Sequence, residues 1–124
     1  MLGTTGMRSR ILLVNLAESL APLLSSGEFE VTLAADFDDA ASRLRGHAFD
    51  AVVTAHRLGS HNGLHLVLRA RVDRPSVVAV VTSTVLDSQL EAEARVFGAV
   101  YLVAPWQDSA RLLEVLRAAE ARPA

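Results

Sequence analysis

The chain has 124 residues, 51% of them hydrophobic, and 12 basic against 14 acidic side chains leave a formal net charge of −2. Every basic residue is an arginine and there is no cysteine, which excludes a lysine Schiff base, a Walker-type phosphate lysine, a disulfide framework and a thiolate metal site. The near-neutral balance argues against a nucleic-acid or anionic-membrane surface, and with no signal peptide or membrane-length apolar run the expectation is a soluble, cytoplasmic protein.

In chain order, residues 1–9 read as a flexible extension, 10–120 as a single domain and 121–124 as a tail. A first strand is predicted at Ile11–Val14, followed by a helix with the apolar stripe Leu16, Leu20, Leu23 and Leu24. The second strand, Val31–Ala35, leads to a helix capped by Asp36, with Phe37, Ala40, Ala41 and Leu44 on its buried face. Asp38 and Asp39 supply favourable first-turn charge there. The third strand is Ala51–Ala55, and its helix carries Leu64, Val67 and Leu68 behind the cap Asn62. The fourth strand, Val77–Val81, precedes a helix with Leu86, Leu90, Ala94 and Phe97, capped by Asp87, whose charges Glu91, Glu93 and Arg95 form a solvated face. The fifth strand, Val100–Val103, precedes a helix with Leu112, Leu113, Leu116 and Ala119, capped by Asp108 or Ser109. On that helix Arg111, Glu114 and Arg117 read as i,i+3 surface pairs. Gly27, Gly46 and Gly98 fall just past helix ends, where a left-handed residue is expected. The strands are mostly continuous apolar runs rather than alternating ones, so both faces should be covered. Strict strand–helix alternation then predicts an α/β fold, a doubly wound five-stranded parallel sheet with helices on both faces.

In such a sheet chemistry gathers where strands reach their carboxyl edge. The residues there are Asn15, Leu16, Ala17 and Glu18 after the first strand, and Ala55 through Gly63 after the third. Thr82 and Ser83 follow the fourth, and Ala104, Pro105 and Trp106 the fifth. None makes a glycine-rich phosphate cradle, and no nucleophile–base pair or cofactor motif supports an enzyme.

The segments ILLVNLAE, FDAVVTAHRLGSHNGLHL, VVAVVTS and GAVYLVAPW, in this order and spacing, resemble response-regulator receiver domains of the CheY-like type. The resemblance runs from Arg10 to about Ala119 and implies a flavodoxin-like (βα)5 topology and a role in two-component signalling. It also implies a degenerate site. The family's acidic pair falls on Asn15 and Leu16, its phospho-acceptor aspartate on Ala55, and its phosphoryl-contacting lysine on Ala104. An amide and a leucine do not replace two carboxylates for Mg²⁺, and alanine has no oxygen to phosphorylate. Aspartyl phosphorylation and Mg²⁺ binding are therefore expected to be lost, and no cofactor is implied.

By the same resemblance Thr82 and Tyr101 stand at the family's conformational-switch positions and Pro105 at its frequent cis-proline, with Trp106 in place of phenylalanine. The residues also admit plainer readings: Thr82 bonds a nearby backbone group, and Tyr101 is a half-buried packing residue with a wet hydroxyl. His61 and His65, four apart, could share a metal, although solvated loop histidines with His56 turned away fit equally. Arg57, two positions after the lost acceptor, could pair with Glu18, the only carboxylate expected near the pocket, or stand exposed. Two functional expectations follow. One is a non-enzymatic module that binds a protein (a sensor kinase, an output domain or a second copy) through its fourth helix, fifth strand and fifth helix. Val85, Leu86, Tyr101, Val103 and Leu113 are the candidates on that face. The other is a sensor that binds a small anion or metabolite with Asn15, Arg57, Thr82 and backbone N–H groups.

Overall fold

The computed structural model describes residues 8–25 and 27–120; the predicted tail and most of the predicted extension lie outside them. Five parallel strands form one sheet in the order β2-β1-β3-β4-β5. They are β1 (Ser9–Val14), β2 (Phe29–Ala34), β3 (Ala51–Ala55), β4 (Val78–Ser83) and β5 (Val100–Val103). The helices are α1 (Ala17–Leu24), α2 (Phe37–Gly46), α3 (Gly63–Asp73), α4 (Ser88–Val96) and α5 (Ala110–Glu120). Ser9, assigned from sequence to the extension, already belongs to β1 and is buried. Among the described residues no helix is long and apolar enough to cross a membrane.

The apolar runs are continuous because successive side chains enter different cores. From β1, Ile11 and Leu13 join Leu20, Leu24, Leu112 and Leu116 of α1 and α5, whereas Leu12 and Val14 join Ala40, Leu44 and Leu66 of α2 and α3. A further cluster places Leu64 and Val67 of α3 with Leu90 and Ala94 of α4, over Ala79 and Val81 of β4. Each buried leucine contributes about 1.5–3 kcal/mol relative to exposure, so a register slip that moved β1 by one residue would cost both cores at once. The register Val14↔Thr54, Ala55↔Thr82 and Ser83↔Val103 brings the strand ends to a common edge.

The caps follow the sequence pattern. Asp36 accepts from Asp39 N at 2.8 Å, Asn62 from His65 N at 3.1 Å and Asp87 from Leu90 N at 3.0 Å. At α5 the side-chain bond comes from Asp108, which accepts from Ala110 N at 3.4 Å. Two expectations are corrected. Gly46 is the last residue of α2 and is absent from the positive-φ positions; the chain turns through extended His47, whose N–H donates to the Arg43 carbonyl at 3.0 Å. Arg117 does not pair with Glu114, which bonds Arg111. It crosses instead to Glu28 ahead of β2, at 2.7 and 3.0 Å. Their bidentate contact ties α5 to the residue that precedes β2. The hydrogen bond from Arg117 holds the Glu28 carboxyl below its ordinary range.

Candidate functional site

The carboxyl edge is built by residues that remain bonded to neighbouring strands after their own strand ends. Asn15 N donates to Ala34 O at 2.9 Å, His56 N to Thr82 O at 2.9 Å and Ala104 N to Ser83 O at 2.8 Å. Among the described residues, Asn15 and Ala104 are the non-glycine positions of positive φ, at 57° and 44°. Asn tolerates this region and alanine does so less readily. Leu16 turns its side chain into the core between α1 and α5, so α1 starts without a side-chain cap. The Asn15 amide reaches the Arg57 carbonyl at 3.5 Å.

Beyond β3 the chain makes a two-stranded ribbon, Arg57–Leu58 paired with His61–Asn62, around Gly59 at φ 67°. Leu58 is buried in the α2–α3 core and anchors the ribbon. His61 stacks on Phe37 at 4.2 Å between ring centroids and meets His65 edge-on at 6.4 Å. Among the described residues no group of three or more His, Cys, Asp or Glu side chains gathers into a metal-sized cluster. The ribbon returns through Gly63, whose N–H donates to His56 O at 2.7 Å. A Cβ at Gly63 would lie 2.6 Å from Ala55 O and 2.9 Å from Thr54 Cγ2.

Thr82 is almost wholly buried, and its hydroxyl donates to Thr54 O across the strand pair at 3.4 Å. The half-buried Tyr101 also has partners for its hydroxyl within the protein. The hydroxyl lies 2.5 Å from Ser83 Oγ, accepts from Asp87 N at 2.9 Å and reaches Val85 O at 3.4 Å. The Ser83 hydroxyl also donates to Val85 O at 2.6 Å. Tyr101 therefore ties the β4–α4 connection to β5.

These elements enclose a cavity of about 480 Å³ lined by Asn15, Leu16, Ser19, Ala55, His56, Arg57, Thr82, Ser83, Thr84, Val85, Asp87 and Trp106. Of the residues expected there, Asn15, Leu16, Ala55, Arg57 and Thr82 meet in its wall, and Ala104 does not. The Ala104 methyl is buried and its backbone turns away at positive φ. The Ala104–Pro105 peptide is trans, contrary to the cis-proline expectation. Its turn closes through Gln107 N donating to Ala104 O at 2.9 Å, and trans is the ordinary isomer even before proline.

Glu18 is not in the wall; the carboxylate there is Asp87, which sequence reading assigned only to a cap. His56 lines the cavity rather than turning away, and its buried Nδ1 has no hydrogen-bond partner among the described residues. Arg57 is exposed, and among the described residues no ion pair joins it to Glu18. Thr84 and Asp87 were missed because their approach depends on how the β4–α4 connection folds over the edge, which no local pattern encodes, and Ser19 because it enters the wall from α1.

On the adjoining face Val85 and Leu86 are 71% and 67% exposed and Val103 is 39% exposed. Leu113 and Tyr101 are half-buried, packed against separate cores, and contribute less to that surface.

No protein-family model matches the sequence. A response regulator receiver protein of Anaeromyxobacter sp. (strain Fw109-5) is 36% identical over 80 residues, which cover 64% of this chain. The match spans about a third (34%) of that relative's length. Among solved structures, the signal receiver domain of an HD domain-containing protein from Pseudomonas fluorescens Pf-5 is 29% identical, with a TM-score of 0.75 over 96% of this chain and 91% of that one. A CheY-like response regulator receiver domain protein from Methanospirillum hungatei JF-1 is 21% identical, with a TM-score of 0.78 over 91% and 97%. The fold is the CheY-like, flavodoxin-like receiver fold. The chain is thus similar in sequence and fold to response-regulator receiver domains.

Proposed function

We propose that this domain signals without aspartyl phosphorylation, as a non-enzymatic receiver that acts by binding another protein. The observation that carries the reading is Ala55. It ends β3 at the centre of the edge cavity, where a receiver needs its acceptor carboxylate, and offers only a methyl group. The rest of the wall agrees. Leu16 is packed into the core, Asn15 supplies an amide, and Ala104 brings no cation. Mg²⁺ seeks several hard oxygen ligands, chiefly carboxylates and water. Asp87 is the one carboxylate of the wall and is already committed to capping α4, so the donor set does not fit the ion. Phosphoryl transfer has neither an acceptor nor the charge neutralisation it depends on.

For output, the exposed Val85, Leu86 and Val103 lie beside the Tyr101 latch at the α4–β5–α5 face. That face supports docking to a sensor kinase, an output domain or a second copy of the chain. The test is a thermal melt with Mg²⁺ and beryllofluoride, a phosphoryl mimic. The expected result is an unchanged melting temperature, and a clear upward shift overturns the reading.

A further inference from the structure

The geometry points to a metal-free binding site for a small organic carboxylate with an apolar body, seated in the edge cavity with its charge on Arg57. The inference rests on the loss of acceptor chemistry proposed above and assigns the vacated space a ligand of its own. Three features define that ligand. The cavity, about 480 Å³, falls in the range of small-molecule sites, roughly 300–1,000 Å³, and is far more than a phosphoryl group fills. Apolar contact for a hydrocarbon or ring comes from Ala55, Val85 and Trp106, which share the wall with polar side chains. Arg57, exposed and part of the wall, has no acidic partner among the described residues, and its planar guanidinium fork matches a carboxylate. Asp87 is the opposing charge in the wall, but its carboxylate already accepts from Leu90 N at 3.0 Å. A doubly charged inorganic ion gains less from such a wall than a monoanion with a body to bury.

The site contains its own reporter, because Trp106 is the single tryptophan of the chain and lines the cavity. The full chain is titrated with benzoate, hexanoate, acetate, benzamide and inorganic phosphate, following Trp106 fluorescence and the melting temperature. Benzoate or hexanoate is expected to saturate both signals, with acetate and the uncharged benzamide at least about ten-fold weaker. Arg57→Gln, at an exposed position, should melt as the parent does yet bind the same carboxylate about ten-fold more weakly or worse. Val85→Glu, exposed and in the wall, should weaken it by repulsion. Saturation by phosphate alone overturns the inference. So does the absence of saturation by any carboxylate up to about 10 mM, or unchanged binding in Arg57→Gln. None of these results alters the beryllofluoride melt, so the two readings fail separately.

Discussion

Gly63 opens α3 against the end of β3, and its missing side chain is what permits the approach. A methyl group there would meet the Ala55 carbonyl, a backbone atom that cannot swing aside, at 2.6 Å. Gly63→Ala is therefore expected to destabilise the fold by about 1–3 kcal/mol in urea denaturation, and an unchanged midpoint would show that the β3–α3 corner relaxes freely. Residue by residue, the absence of a carboxylate at Ala55 was legible because the side chain that ends a strand is read directly from the sequence. The partnership of Tyr101 was not. Its hydroxyl finds Ser83 and Asp87, residues 18 and 14 positions away in sequence, only because β4 and β5 lie side by side.

Among the elements, α1 is the least self-supporting. It is eight residues long, has no side-chain cap and contains Pro22, which removes an internal hydrogen bond. It persists because Leu20 and Leu24 are fully buried against the sheet and α5. Pro22→Ala should raise stability by about 1 kcal/mol, the helix gain being partly offset by a more flexible unfolded chain; paired thermal melts measure it. The β4–α4 connection is held the other way, by polar bonds rather than burial. Tyr101→Phe removes those bonds, each worth a net ~0.5–1.5 kcal/mol. It should lower stability by about 1–2 kcal/mol and speed amide exchange at Asp87, whose N–H donates to the Tyr101 hydroxyl at 2.9 Å. Exchange at Asp87 that does not change would mean the latch contributes nothing to that segment.

For the whole molecule, the bridge from Glu28 to Arg117 joins the start of β2 to α5, 89 positions away in sequence. The folded state lowers the Glu28 pKa from its ordinary 4.5, so the bridge contributes above that pH and fades as pH falls through the depressed folded value. Melts of the parent chain should lose stability along this acid limb, and Glu28→Gln should show a shallower one. Equal limbs would place the acid sensitivity elsewhere. The contribution is small, as expected of a solvent-exposed pair.

Residue order alone was enough for the five strands of the sheet and the five helices, though not for the ribbon of Arg57–Leu58 and His61–Asn62, and for the caps at Asp36, Asn62 and Asp87 and the absence of a carboxylate at Ala55. Periodicity and capping are local consequences of backbone geometry, and a missing functional group needs no fold to be seen. Only the tertiary structure decided what stands around that absence. Gly46 continues its helix, Pro105 follows a trans bond, Ala104 stays out of the cavity and Asp87 rather than Glu18 enters it. These outcomes depend on how connections cross a sheet edge built from strands far apart in sequence. Burial and hydrogen-bond satisfaction set them for the whole edge together, and no window of neighbouring residues contains that sum.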